Sequence, residues 1–404
     1  MQRIYPLEGK VQNYSWGGFD YIADLLGSAN TEKKPMAEYW LGAHPNHPST
    51  LTLHESKISL HRFISIDKQN VLGEAVANQF DSLPFLLKIL DVRQMLSIQV
   101  HPDKASATAN YQKENVAGID LTAYNRNYKD ENHKPELMVA LGDFWLLHGF
   151  RPWEELRGVI SRTPELTFLL PQLEQGGYEG LFRAVMTKEQ EEVNALGQKL
   201  SERILPLYTE DKLLKESPDF WAARAIQNFC TEGHFDKGVF SIYLLNIVHL
   251  KKGEGIYQPQ GLLHAYLEGQ NVEIMANSDN VLRAGLTDKY MDVPELLKHV
   301  QFVATQPEVL KPSGSLETVL TPPVEEFSLV HYEATEDAYK SVHSEGPEII
   351  LVLEGRVEVK QGEHVVALSK GRAAFVEAET DYQVFLGAGT NCFRAGVGNV
   401  QKMG

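Results

Sequence analysis

From Leu96 to His101 the chain alternates without a break: Leu96, Ile98 and Val100 against Ser97, Gln99 and His101. Residues two apart in a strand share a face, so residues 95–101 are expected to form a strand. Its polar face presents Ser97, Gln99 and His101 together, close enough to reach one point. The neighbouring runs Phe85-Leu86-Leu87-Lys88-Ile89-Leu90 and Glu136-Leu137-Met138-Val139-Ala140-Leu141 also read as strands. Between them lies a polar stretch from Asp103 to Lys134. It is too long for a hairpin, and loops of that length in compact domains are often functional.

The character of the chain then changes twice. From 151 to 235 it is helical: Val193, Leu196, Leu200 and Ile204 recur at helical spacing, and Ser217-Pro218-Asp219 opens another helix with a serine cap and proline in the first turn. Strands are expected again at Val239 to Leu250. From 310 on, short strands such as 349–353 and 356–359, joined by Glu354-Gly355, fit a small sandwich or barrel. Residues 305–325, rich in Pro, Ser and Thr, read as a linker. At ~150 residues per domain a 404-residue chain has room for two to three. The expectation is mainly β with a helical insertion: a discontinuous domain (1–150 and 236–309), a helical insertion (151–235) and a C-terminal sandwich (310–404).

The 38 Lys and Arg against 54 Asp and Glu leave a net charge of −16, which argues against nucleic acid as a partner. It does not exclude a small anionic ligand, because a few local cations outweigh a distant, screened surface. The N-terminal residues lack an apolar signal core, and no apolar run approaches the ~20 residues of a membrane span. With two cysteines, Cys230 and Cys392, there is no disulfide framework or cysteine zinc cluster. A cytoplasmic protein with no membrane partner is expected. Walker, Gly-x-Gly-x-x-Gly and Gly-x-Ser-x-Gly motifs are all missing.

The chemistry gathers in three segments. Gln99 and His101 share a strand face. Tyr128-Lys129-Asp130-Glu131-Asn132-His133-Lys134-Pro135-Glu136 sets a lysine and a carboxylate about a stiffening proline. Pro259-Gln260-Gly261-Leu262-Leu263-His264 turns the chain and starts a returning strand at His264, a Pro-x-Gly-x-x-His pattern found in cupins. One amide, two imidazoles and one carboxylate suit a single divalent metal with an open position, zinc above others. Taken alone, a lone histidine on a strand is more often structural, and a carboxylate opening a strand more often faces water. Glu254 ranks below these as a ligand, since loop carboxylates usually face solvent, and His44, His47, His54 and His148 read as surface or structural.

Four cations stand near these segments: Lys88, Lys134, Arg283 and Lys289. Lys88 interrupts an apolar run; its ordinary explanation is an edge lysine that discourages aggregation. Arg283, in Asn280-Val281-Leu282-Arg283-Ala284-Gly285-Leu286-Thr287-Asp288-Lys289, lies where glycine permits close backbone approach and two cations can grip a phosphate. Glu273, in the strand-like Asn271-Val272-Glu273-Ile274, points into the same cavity or into water.

Several stretches together resemble the type I mannose-6-phosphate isomerase (phosphomannose isomerase) family: Asn13 to Gly17, Ala37 to Pro45, Gln99 to Lys104, Tyr128 to Glu136 and Arg283 to Thr287. The resemblance implies a cupin-type jelly-roll catalytic domain and a second, metal-free cupin-like sandwich. It implies one Zn²⁺ per chain held by Gln99, His101, Glu136 and His264, with Arg283 as the catalytic arginine. Ser97, Lys88, Lys134, Glu273 and Lys289 match substrate-pocket positions, and Lys134, Glu273 and a zinc-bound water are the candidates for proton transfer. The implied reaction interconverts mannose 6-phosphate and fructose 6-phosphate through a cis-enediolate, in an enzyme expected to be monomeric. Asp288 stands where the family usually has proline, setting a carboxylate beside Lys289. The alternatives are an iron-dependent cupin oxygenase and a non-catalytic sugar-phosphate-binding cupin.

Overall fold

Three antiparallel sheets stack in layers in the computed structural model, which describes residues 2–54 and 56–398. The middle layer explains the apolar run at 349–353. In strand Glu348–Glu354, Ile349 and Leu351 enter one core while Ile350 and Val352 enter another. A strand buried on both faces must be apolar throughout, so its sequence shows no alternation. One of these cores lies against the four-stranded sheet that includes strands Arg356–Gln361 and Thr380–Leu386. The other is shared with strands Phe85–Val92, Glu136–Ala140 and His264–Ala276 of the ten-stranded sheet.

The middle sheet is also where the expected division of the chain is crossed. Strand Ile4–Glu8 pairs with Ala373–Val376, and on its other side with Thr50–Leu53. N-terminal strands thus complete a sheet otherwise built from residues beyond 310, and the sheet does not respect the boundary set at 309. Within the expected linker, residues 317–320 form a strand.

The helical block packs on the outer face of the ten-stranded sheet. Leu181, Phe182, Leu200, Ile204 and Trp221 share one core with Leu147 and Phe150 of strand Phe144–Phe150. Ser217 caps helix Pro218–Phe229 as its sequence predicts, accepting from Asp219 N. Two expectations fail. The run 239–250, expected as strand throughout, is a helix at Gly238–Leu244 before strand Leu245–Leu250. Every residue of that helix is buried, so no exposed face reveals its period. The stretch 103–134, expected as loop, contains helix Lys104–Val116, capped by Asp103 accepting from Ser106 N. Only Ala107 of that helix is buried, so it carries no apolar stripe to read.

Just past the helical block, Asp236 ties helix Gly238–Leu244 to the ten-stranded sheet's rim. Its carboxylate accepts from the N–H groups of Gly238 (2.6 Å), Leu286 (2.8 Å) and Thr287 (3.2 Å). Leu286 holds φ +54°, and Gly285 holds φ +119° where an added Cβ would meet Gly238 Cα at 2.4 Å. The carboxylate therefore holds together a turn with a left-handed leucine and a glycine that tolerates no side chain. Asp236→Ala is expected to lower stability by about 1–3 kcal/mol, the penalty for buried donors left unsatisfied. A thermal midpoint unchanged from the parent would show that the turn holds its shape without the carboxylate.

Candidate metal centre

Three adjacent strands of the ten-stranded sheet deliver charged side chains to one interior face. In Phe85–Val92, Leu87 and Ile89 enter the core shared with the middle sheet, so Lys88 points the other way. In His264–Ala276, Val272 and Ile274 enter that core and Glu273 faces Lys88 in register. In Glu136–Ala140, Leu137 and Val139 do the same, leaving Glu136 inside with Met138 and Ala140. Lys88 is thus in a central strand, between Glu38–Gly42 and His264–Ala276, and not at an edge.

Glu136, 1% exposed, joins two imidazoles. Its Oε1 lies 3.3 Å from His101 Nε2 and its Oε2 lies 3.3 Å from His264 Nε2. Each ring has its other nitrogen committed: His101 Nδ1 lies 2.8 Å from the Asn280 carbonyl and His264 Nδ1 2.9 Å from that of Leu262. A carbonyl oxygen only accepts, so Nδ1 carries the proton and both Nε2 lone pairs turn toward the carboxylate. Acceptors then face acceptors in a buried place, which is favourable with a cation between them. His101 Nε2 and Glu136 Oε2 are buried with no hydrogen-bond partner among the described residues. The ligand atoms of His101, Glu136 and His264 all lie within 4.8 Å of one another. Gln99 joins them, its amide 3.3 Å from His264 Nε2, and a half-turn of that amide presents oxygen instead. These residues fit zinc: neutral imidazoles, one carboxylate and one amide.

The local charges support this. Burial pushes the His101 imidazole down to about 4, keeping its lone pair free. Burial works against the charge on Glu136, but Lys134, 3.1 Å away, and the histidines hold its carboxyl well below the usual carboxylate range. His148 lies opposite His264 in the neighbouring strand and is 3% exposed; burial lowers it to about 3, so it is a neutral structural ring.

A second buried cluster adjoins the first. Lys88 Nζ lies 3.3 Å from Glu273 Oε1, 3.8 Å from Glu38 Oε2 and 5.0 Å above the Trp40 ring. Burial alone would lower its pKa, but the carboxylates of Glu38, Glu273 and Glu136 outweigh burial and hold it above the ordinary lysine range. Glu273 is raised, first by burial and then by the charge of Glu136. Tyr266 donates to Glu273 at 2.7 Å and accepts from Gln258 at 2.9 Å.

The third group lines an open cleft of about 810 Å³ that includes Trp16, Glu38, Ser97, Gln99, Arg283 and Lys289. Ser97 and Gln99 reach it although the expected strand 95–101 is paired only at Gln99–Val100; Leu96 N and Ile98 N bond two different partners, Tyr266 and Gly285. Arg283 sits opposite Gln99 in register. Burial lowers both Arg283 and Lys289, and their mutual repulsion lowers Lys289 further while Asp288 acts against it. Two cations crowded at a cleft wall favour an anion between them. Glu254, in contrast, is engaged by Lys311 on another part of the surface.

The structure thus gathers Gln99, His101, Glu136, His264 and Lys134 at one point, Lys88 and Glu273 beside it, and Ser97, Arg283 and Lys289 at the cleft. Glu38 and Tyr266 were missed by sequence reasoning. The signal for Glu38 was a carboxylate within Ala37-Glu38-Tyr39-Trp40-Leu41, of the same kind as Lys88 in its apolar run.

Comparison with known proteins bears on this site. Residues 4–153 match the family described as phosphomannose isomerase type I, catalytic domain. The mannose-6-phosphate isomerase of Escherichia coli (strain K12) is 37% identical over 387 residues, covering 93% of this chain and 95% of that one. That of Bos taurus is 32% identical, covering 93% and 94%. The crystal structure of mannose 6-phosphate isomerase from Salmonella typhimurium bound to substrate (F6P) and zinc has a TM-score of 0.87 at 33% identity, covering 98% of this chain and all of that one. Sharing sequence and architecture with these enzymes over nearly its whole length, the chain belongs to the type I phosphomannose isomerase family.

Proposed function

We propose that this enzyme interconverts mannose 6-phosphate and fructose 6-phosphate with one zinc ion held by Gln99, His101, Glu136 and His264. The observation that carries the reading is the convergence of two Nε2 lone pairs on a buried carboxylate beside a cleft lined by Arg283 and Lys289. Zinc bound there supplies Lewis-acid polarisation of a sugar oxygen. Arg283 and Lys289 would hold the phosphate or the charge of a cis-enediolate, with Ser97 offering a hydroxyl on the same wall. Glu273, raised in pKa and oriented by Lys88 and Tyr266, would carry the proton between C2 and C1. Lys134, tied to Glu136, is the second candidate for that role. Lys88 itself would orient Glu273 and neutralise the interior. All of these residues come from one chain, so a monomer suffices. The division into a discontinuous catalytic unit, a helical insertion at 151–235 and a C-terminal unit is part of the same proposal, with the shared middle sheet joining the first and last. Among the described residues no helix is long and apolar enough to cross a membrane.

Turnover is expected from zinc-loaded protein and not from metal-stripped protein, with solvent hydrogen exchanging at C2 during turnover. Tight zinc binding with neither turnover nor exchange would leave a sugar-phosphate binder.

A further inference from the structure

The metal ligands come from segments far apart in sequence, and two of those segments meet at Asn280. This residue is 1% exposed. Its backbone carbonyl accepts from His101 Nδ1 at 2.8 Å. Its side chain reaches into the turn that precedes Lys134-Pro135-Glu136. There Asn280 Oδ1 accepts from Lys129 N at 2.7 Å and Asp130 N at 3.3 Å. Its Nδ2 donates to the carbonyls of Asp130 (2.9 Å) and Asn132 (2.8 Å), and to Asp130 Oδ1 at 3.2 Å. Neighbours reinforce the clasp: Ser278 Oγ donates to Asp130 Oδ1 at 2.8 Å and Asp279 N to Asp130 Oδ2 at 2.7 Å.

We propose that Asn280 is a positioning residue for the metal centre, setting His101 with its backbone and the approach of Glu136 with its side chain. The chemistry allows few substitutes. The side chain must accept from two N–H groups with one atom and donate to two carbonyls with another, which a primary amide of this length does. Aspartate would keep the two acceptor bonds but set a carboxylate against Asp130 and two carbonyl oxygens. Alanine would lose all of them and leave half-buried donors and acceptors unpaired.

The proposal rests on the zinc reading of the site, and zinc affinity tests both separately. Competition against a chelating dye would be measured for the parent, Asn280→Ala, Asn280→Asp and Leu200→Ala, alongside thermal melts of the metal-free proteins. Leu200 lies in the helical core, far in sequence from every ligand, and reports the effect of lost stability alone. Zinc affinity is expected to fall roughly 10–100-fold in Asn280→Ala, as for outer partners of metal ligands. Asn280→Asp should fall between Asn280→Ala and the parent, and Leu200→Ala should keep its affinity. Should Asn280→Ala not fold, Asn280→Asp, with the same shape, carries the test. Parental affinity in Asn280→Asp, or an equal loss in Leu200→Ala at matched midpoint, overturns the proposal. A parent that binds no zinc overturns the site reading instead, and this proposal with it.

Discussion

Lys88→Met is expected to lower the unfolding free energy by about 3–5 kcal/mol at pH 8, the usual result of removing one partner of a buried charge cluster. Methionine keeps most of the volume, so little of the loss comes from packing. The loss comes from Glu38 and Glu273, 9% and 4% exposed at their side chains, which would face each other and Glu136 without the ammonium between them. Burial already raises Glu273 in the parent, and removing Lys88 raises it further. A carboxyl whose folded pKa exceeds its unfolded value binds its proton more tightly when folded. Stability therefore rises as pH falls through that folded value, and is lost as pH rises. The deficit should be smaller at pH 5 than at pH 8. Urea unfolding of parent and variant at both values checks this. A variant as stable as the parent at pH 8, or a deficit that grows on acidification, would show that Lys88 does not balance these carboxylates.

This cluster also marks the limit of what the sequence could tell. Lys88 drew notice because a lysine inside Phe85 to Leu90 breaks an apolar run, but the same run permits an edge strand. Its place became clear from register: Glu273 on one side and Trp40 on the other. The candidate ligand set was legible because ligand chemistry restricts residue type and because alternation pairs Gln99 with His101. Asn280 was not, since asparagine in a turn is common and its role depends on loops 150 residues apart. Nor could the pairing of Ile4–Glu8 with Ala373–Val376 be seen, for strand pairing leaves no local trace of its partner. Periodicity carried the reading as far as a mainly β chain with a helical insertion, and the resemblance supplied the jelly roll. The helices at Lys104–Val116 and Gly238–Leu244 were lost where one is polar on almost every side and the other buried on all.

Glu136→Gln tests the metal centre most directly. Glutamine keeps the shape but removes the one negative charge among the proposed ligands, and it brings an N–H pair toward His101 Nε2 or His264 Nε2. Those nitrogens can then accept from the amide, so the lone pairs that would hold zinc become satisfied without it. The cost to zinc affinity should exceed the ~10–100-fold given by outer partners of metal ligands. Gln99→Ala should cost less than Glu136→Gln, because a neutral amide is a weaker donor than a carboxylate and Gln99 is only partly buried. Turnover at a fixed, limiting zinc concentration should follow the same order. Lys134 sharpens the comparison. It loses its partner in Glu136→Gln, and an unpaired ammonium 3.1 Å from the ligand position repels a divalent cation. Adding Lys134→Met to Glu136→Gln should therefore recover part of the zinc affinity. Zinc binding to Glu136→Gln within tenfold of the parent would place the metal elsewhere. No recovery in the double variant would mean that the lost ligand, and not the freed lysine, accounts for the whole effect.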